Sequence, residues 1–93
     1  MVKITVVYAA TRAEAGEAAG KVREFLNAHG ITHNVMSLSE FDKTQSPPSD
    51  GVLLVLGGDG TMLRATRRIT SPQLAIAGVN YGRAGYLCQI QPA

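Results

Sequence analysis

At residues 52–61 the chain reads VLLVLGGDGT. The five aliphatic residues at 52–56 predict a β-strand that is covered on both faces, as strands of a parallel sheet are. Three of the next four residues are glycines, and a helical pattern runs from Thr61 to Ile69. This order places a glycine-rich turn beyond the carboxyl end of a buried strand, which is where ligands bind in parallel sheets.

The rest of the chain repeats this alternation of strand and helix. Apolar runs predict four more strands, at residues 2–8, 32–38, 74–79 and 86–90. The polar residues 39–50, which include Pro47 and Pro48, are expected to form a loop. The pattern predicts one three-layer α/β/α domain over residues 1–93, with a mainly parallel, Rossmann-like sheet.

The first helix is expected to begin at Thr11 and to end before Gly30. Glu14 stands three residues after Thr11, which is the spacing of a capping box. Gly16 and Gly20 each cost about 1 kcal/mol relative to alanine inside a helix, and close packing on the sheet would explain them. The apolar face of this helix is expected to hold Ala15, Ala18, Ala19, Val22, Phe25 and Leu26.

Composition and charge exclude several classes of protein. The 93 residues are 45% hydrophobic and 17% charged, which is typical of a small folded domain. No apolar stretch is long enough to span a membrane. The amino-terminal residues resemble a strand rather than a signal peptide. For these two reasons we expect a cytoplasmic protein. The single cysteine, Cys88, excludes an internal disulfide and is expected in the core.

The carboxyl-terminal half of the chain should attract anions. Residues 51–93 carry four arginines and one acidic residue, Asp59. Nucleic acid is not the expected partner, because aromatic residues do not alternate with these arginines. Arg67 and Arg68 are expected on a solvated helix face. His29 and His33 lack further ligands at metal-binding spacing, so no metal site built by the protein is expected.

The glycine-rich turn at residues 57–61 has the features of a phosphate site. Glycines let backbone amides approach a ligand, and the amino terminus of the following helix attracts anions. Asp59 would repel a bare phosphate unless it binds Mg²⁺ or accepts a proton from a hydroxyl group that is being phosphorylated. Arg64, one turn into the helix, is expected to reach the same anion. The alternative is that Asp59 only caps the helix.

A second glycine-rich segment, GVNYGRAGYL, occupies residues 78–87. It also begins at the carboxyl end of a strand, so it should lie beside the first segment. Asn80 can donate and accept hydrogen bonds, and Arg83 adds a cation. By itself this segment could be an ordinary turn. The chain has neither the G-x-G-x-x-G fingerprint after its first strand nor a G-x-x-x-x-G-K-[ST] motif, which disfavours a Rossmann dinucleotide site and a P-loop.

Taken together, GGDGTMLRA at 57–65 and GVNYGRAGYL at 78–87 resemble the NAD kinases. The family pattern is GGDGT followed by G-[IV]-N-x-G-x-x-G-F-L, and Tyr86 here stands in place of the usual Phe. GGDG alone is shared with diacylglycerol and sphingosine kinases and with phosphofructokinases. The second motif is the one that favours NAD kinase within this wider superfamily.

The resemblance implies a kinase that phosphorylates the 2′-hydroxyl of the adenosine ribose of NAD to give NADP. ATP or polyphosphate would be the phosphoryl donor, with Mg²⁺. Asp59 would be the proton acceptor, Asp59, Gly60 and Arg64 would contact NAD, and Asn80 and Gly82 would support the neighbouring loop. The binding residues that the resemblance assigns are Gly57, Gly58, Asp59, Gly60, Thr61, Arg64, Asn80 and Gly82.

Proteins of this family are much longer than 93 residues, and a second, β-rich domain supplies further contacts to NAD. The resemblance therefore implies that residues 1–93 form the N-terminal domain, without the C-terminal NAD-binding domain. It also implies a homo-oligomer for the full-length family. Two alternatives stay open at this point. One is a lipid or sugar-phosphate kinase with the same first loop, and the other is a non-catalytic module that binds nucleotides.

Overall fold

The computed structural model describes residues 2–81 and the backbone of residues 86–90. Within these ranges the chain forms five strands and three helices. In chain order they are β1 (Ile4–Tyr8), α1 (Ala13–Ala28), β2 (His33–Ser37), α2 (Leu38–Lys43), β3 (Gly51–Gly57), α3 (Asp59–Arg67), β4 (Leu74–Asn80) and β5 (Tyr86–Ile90). None of the described helices is long and apolar enough to cross a membrane.

The strands form one sheet in the order β2-β1-β3-β4-β5. β2, β1, β3 and β4 run parallel to one another, and β5 is antiparallel to β4. The predicted mainly parallel sheet is therefore confirmed. In the register of β3 and β4, Gly57 is opposite Asn80, so the two strands end side by side.

Helices cover both faces of the sheet and make three layers. Leu53 and Val55 of β3 face one way and pack in a cluster with residues of α2 and α3. Leu54 and Leu56 face the other way, towards the buried residues of α1. Because successive side chains of a strand point to opposite faces, a strand covered on both sides must be apolar throughout, as residues 52–56 are.

The predicted start of α1 is wrong. The helix begins at Ala13, its N-cap is Arg12, and no side chain caps it, so Thr11 and Glu14 form no capping box. The predicted apolar face is also too wide. Phe25 is 57% exposed and lies against the ring of His29, with a centroid distance of 4.2 Å. Residues 15, 19 and 26 are the buried ones, and Phe25 is turned about 100° away from position 26.

Part of the predicted loop at residues 39–50 is a helix, α2. Its N-cap, Ser37, accepts a hydrogen bond from the backbone of Glu40 at 3.2 Å, and the Glu40 carboxylate accepts one from the backbone of Ser37 at 2.9 Å. This is a complete capping box. Leu38 and Phe41, one turn apart, anchor the helix in the core. The spacing of Ser37 and Glu40 is a capping signal in the sequence. The polar residues around it favoured a loop, so this helix of six residues was not predicted.

Arg67 and Arg68 were both predicted on a solvated helix face. Arg67 is exposed, which confirms the prediction, but Arg68 is half-buried. The Arg68 guanidinium donates hydrogen bonds to the carbonyl oxygens of Phe41 and Thr44, which belong to the end of α2. It also lies 5.5 Å from the centroid of the Phe41 ring. A cation is favourable at the carbonyl end of a helix, so Arg68 ties α2 to the end of α3.

Gly16 and Gly20 of α1 do not pack closely against the sheet, contrary to the prediction. A Cβ atom at either position would meet nothing within 4 Å. We therefore expect Gly16→Ala and Gly20→Ala each to raise the free energy of unfolding by about 0.5–1 kcal/mol, because alanine is the better helix former. Urea denaturation measures the change.

Gly51→Ala is the control for these two variants. Gly51 has a φ of 84°, and a Cβ atom there would collide with the carbonyl oxygen of Lys3. Alanine at this position should lower the stability by about 1–3 kcal/mol. An unfolding midpoint that falls in Gly16→Ala or Gly20→Ala would show that these helix positions are packed after all.

Glu40 should make the stability depend on pH in the acidic range. The hydrogen bond from the backbone of Ser37, then that from its hydroxyl, lowers the pKa of the Glu40 carboxyl, and the positive charge of Arg23 acts in the same direction. A lowered pKa in the folded chain stabilises it above the unfolded pKa. This contribution is lost as the pH falls through the lowered value. The difference in urea midpoint between wild type and Glu40→Ala should therefore shrink on acidification, and a constant difference would contradict it.

Candidate functional site

An open cavity lies at the carboxyl edge of the parallel strands. Its volume is about 300 Å³. Three segments line it: the connection from β1 to α1, the start of α2 and the first turns of α3. The lining residues are Ala9, Ala10, Thr11, Leu38, Ser39, Gly60, Thr61 and Arg64. The cavity lies where the order of strands and helices predicts a ligand, because the carboxyl ends of parallel strands meet at one edge.

The start of α3 presents backbone amides at this edge. Gly58 is the N-cap, with extended backbone angles, and the first hydrogen bond of the helix runs from the Met62 amide to the Gly58 carbonyl at 3.1 Å. The amides of residues 59–61 precede that bond, at the positive end of the helix. Because Gly60 and Thr61 line the cavity, an anion there would meet the positive end of α3.

Thr61 explains the glycine at position 57. A Cβ atom on Gly57 would lie 2.5 Å from Oγ1 of Thr61 and 2.7 Å from its Cβ. Thr61 is buried, so its side chain cannot move into solvent to make room. The close approach of strand and helix at this turn therefore depends on the absence of a side chain at position 57.

Asp59 and Asn80 join the two glycine-rich segments. Asp59 is the first residue of α3 and is exposed, whereas Asn80 ends β4 and is 2% exposed. The side-chain amide of Asn80 donates a hydrogen bond to Oδ1 of Asp59. The N-cap position belongs to Gly58, so Asp59 is not the N-cap residue. The prediction that the two segments lie side by side is confirmed at these two residues.

Arg64 lines the cavity but is already paired. Its guanidinium forms an ion pair with the carboxylate of Asp42, which belongs to α2. The side chains of Arg64 and Asp42 are 58% and 31% exposed. Exposed ion pairs contribute little to stability, so an anionic ligand in the cavity can compete with Asp42 for Arg64.

Sequence reasoning missed several residues around the cavity. Thr11 and Ser39 contribute to its wall, whereas the sequence suggested only a helix cap at Thr11 and a loop position for Ser39. Arg12 lies over the first glycine-rich turn, with a guanidinium nitrogen 3.6 Å from the position that a Cβ atom on Gly58 would take. Gly82 and Arg83 lie outside the described residues, as does the side chain of Cys88.

The chain is similar in sequence to known NAD kinases. Residues 49–93 match the family model of the ATP-NAD kinase N-terminal domain. An NAD kinase from Agathobacter rectalis is 41% identical over 68 residues, which are 71% of this chain and 24% of that protein. An NAD kinase from Syntrophobacter fumaroxidans is 34% identical over 94 residues, covering 94% of this chain and 33% of that protein. No solved structure is significantly similar to the chain.

A third relative that aligns with most of the chain is also named an NAD kinase. The NAD kinase from Bdellovibrio bacteriovorus is 36% identical over 91 residues, covering 90% of this chain and 30% of that protein. The predicted resemblance to the NAD kinases is therefore confirmed. In each of these comparisons the chain spans about a quarter to a third of the length of the curated relative.

Gly57→Ala should destabilise the fold because its methyl group would overlap Thr61. We expect a loss of about 1–3 kcal/mol in the free energy of unfolding, as for overpacked core sites. Gly60→Ala is the matched control, since a Cβ atom there would meet nothing within 4 Å. Urea denaturation of both variants tests the pair, and equal stabilities would show that strand and helix do not need a glycine where they meet.

Proposed function

We propose that this chain carries the catalytic loop of an NAD kinase, the family whose N-terminal domain its residues 49–93 match. The reaction would transfer a phosphoryl group from ATP or polyphosphate to the 2′-hydroxyl of the adenosine ribose of NAD. The observation that carries this proposal is the hydrogen bond from Asn80 to Asp59. It links the two motifs that together distinguish NAD kinases from other kinases with a GGDG loop.

In the proposed mechanism Asp59 accepts the proton of the ribose 2′-hydroxyl. The oxygen then attacks the terminal phosphorus of the donor, and the bond from that phosphorus to the leaving phosphate oxygen breaks. Asn80 holds one carboxylate oxygen of Asp59, which fixes the orientation of the carboxylate. Asp59 is exposed at the edge of the sheet, so a substrate can reach it.

The phosphate groups of the substrates would be held by the turn at residues 57–61. The amino terminus of α3 attracts negative charge, and Gly60 and Thr61 of its first turn line the cavity. Gly58 would allow the backbone to approach a ligand closely, whereas Gly57 makes room for Thr61. Arg64 would exchange its ion pair with Asp42 for a phosphate oxygen when a ligand binds.

The residues at the site are compatible with Mg²⁺. The described residues contain no group of three or more His, Cys, Asp or Glu that could hold a metal ion by themselves. Mg²⁺ is commonly bound by one or two carboxylates together with substrate phosphates. With Asp59 as the proton acceptor, the donor phosphates cradled by residues 57–61 would supply the protein-bound part of that set, and the ion would neutralise charge on the phosphates.

The acceptor ribose would be bound by residues of the second domain that the family resemblance implies. In-line transfer requires the hydroxyl and the donor phosphorus to be held together in the correct geometry. The relatives are three to four times longer than the segments they share with this chain, which leaves room for such residues. A cytoplasmic location and a homo-oligomeric assembly are part of the same proposal and rest on the family resemblance.

A lipid or sugar-phosphate kinase is not favoured. The relatives compared above are all named NAD kinases. Protection of the site by NAD, but not by a diacylglycerol or a sphingoid base, would separate the two kinds of kinase in solution.

We expect Asp59→Asn to lower NADP formation by at least about 100-fold in a protein that carries this chain and the second domain, since a positioned base contributes that much or more. Asn80→Ala should reduce turnover by a smaller factor, because the carboxylate remains but loses its orientation. Asp50→Asn is the matched control, as it neutralises an exposed aspartate of the loop before β3. The assay supplies NAD, ATP or polyphosphate, and Mg²⁺.

Turnover of Asp59→Asn within a few-fold of wild type would exclude Asp59 as the proton acceptor. The 93-residue chain is assayed in parallel. NADP formation by this chain alone would show that its own residues suffice to hold the ribose. If it forms none, adding the second domain as a separate chain tests whether the two parts act together.

A further inference from the structure

Arg12 is placed where it can contact a ligand of the first glycine-rich turn. It is the N-cap residue of α1, and its guanidinium lies over Gly58, the N-cap residue of α3. A Cβ atom on Gly58 would be 3.6 Å from one terminal nitrogen of Arg12 and 3.7 Å from Nε. The guanidinium therefore lies beside the turn, at a distance where a methyl group on residue 58 would just reach it.

Arg12 differs from Arg64 and Arg68, which both make side-chain contacts to α2. Arg64 is paired with Asp42, and Arg68 donates to carbonyl oxygens at the end of α2. Within the part of the chain that the structure describes, the Arg12 side chain forms neither an ion pair nor a hydrogen bond. Its five N–H donors are therefore available to a ligand.

The local electrostatics indicate an anion as that ligand. Arg12 lies at the amino termini of α1 and α3, and both helix ends carry partial positive charge. A guanidinium at such a position is repelled by both helices. An anion bound between them would be attracted by the two helix ends and by Arg12, and would remove this repulsion. Glu14 and Asp59 lie in the first turns of the two helices, but neither forms an ion pair with Arg12.

We propose that Arg12 is a further binding residue of this site and that it donates hydrogen bonds to a phosphate group held at residues 57–61. The inference rests on the proposed function, because that function supplies the phosphate. The planar guanidinium suits two phosphate oxygens at once, which a lysine could not match. The phosphate would belong either to the phosphoryl donor or to the pyrophosphate of NAD, and the two share the chemistry that Arg12 recognises.

Titration of the ¹⁵N-labelled 93-residue chain, followed by NMR, tests this role without requiring turnover. The probes are inorganic tripolyphosphate, ATP and NAD, and the amide signals of residues 57–61 report binding. Arg12→Ala should raise the Kd of the phosphate ligand by about tenfold. This change corresponds to the loss of one hydrogen bond to a charged group. Arg12→Gln, which keeps much of the side chain, should show a similar loss. Thermal unfolding of each variant establishes that it is folded.

Arg67→Ala is the matched control. It removes the same charge from an exposed position in the last turn of α3, away from the glycine-rich turn. It should leave the affinity unchanged. If Arg12→Ala weakens the binding of tripolyphosphate and ATP, Arg12 contacts the phosphates of the donor. If it weakens the binding of NAD alone, Arg12 contacts the pyrophosphate of NAD.

Two results would overturn the assignment of Arg12. One is an affinity in folded Arg12→Ala and Arg12→Gln that equals that of wild type. The other is an equal loss in Arg67→Ala, which would show that only the net charge matters. A wild-type chain in which none of the three probes shifts the signals of residues 57–61 would instead refute the proposed phosphate site, and the role of Arg12 with it. These outcomes separate a failure of the inference from a failure of the proposed function.

Discussion

The parallel pairing of β3 with β4 is the contact on which the site depends. With Gly57 opposite Asn80, the two strands end at the same level, and both glycine-rich segments pass through this edge. Asn80 can then reach Asp59 across adjacent strand ends although 21 residues separate them in the chain. A shift of this register by one residue would turn Asn80 to the other face of the sheet and break the link.

Small residues let α3 approach the sheet closely enough to hold this arrangement. Gly57 leaves space for Thr61, and Gly78 leaves space for Met62, whose Cε would lie 2.7 Å from a Cβ atom there. Thr61 and Met62 are both buried. The glycines of the two segments therefore include positions set by helix–sheet packing as well as Gly60, which lines the cavity. This is one reason why a glycine-rich motif by itself does not identify which of its members bind.

The arginines that composition assigns to one basic half of the chain have separate tasks in the structure. Arg68 holds α2 to α3 through backbone carbonyl groups, and Arg64 pairs with Asp42 on the cavity wall. Arg12, which belongs to the half without a net positive charge, is the one that lies on the turn at Gly58. Charge counted along the sequence therefore favoured the basic half as the place for an anion, but it did not indicate which arginines pair within the fold and which lie at the glycine-rich turn.

The sequence by itself determined the order of strands and helices around residues 52–61, because an apolar run followed by glycines is a signal contained within a few consecutive residues. It also determined that Asp59 and Asn80 would stand at neighbouring strand ends. Only the tertiary structure decided which local signals prevail: the capping box at Ser37 forms, and the one at Thr11 does not. The same holds for Phe25, which is exposed, and for Arg12 and Arg64, whose surroundings come from distant segments. Burial and ion pairing depend on which elements meet in space, and the spacing of residues along one helix does not contain that information.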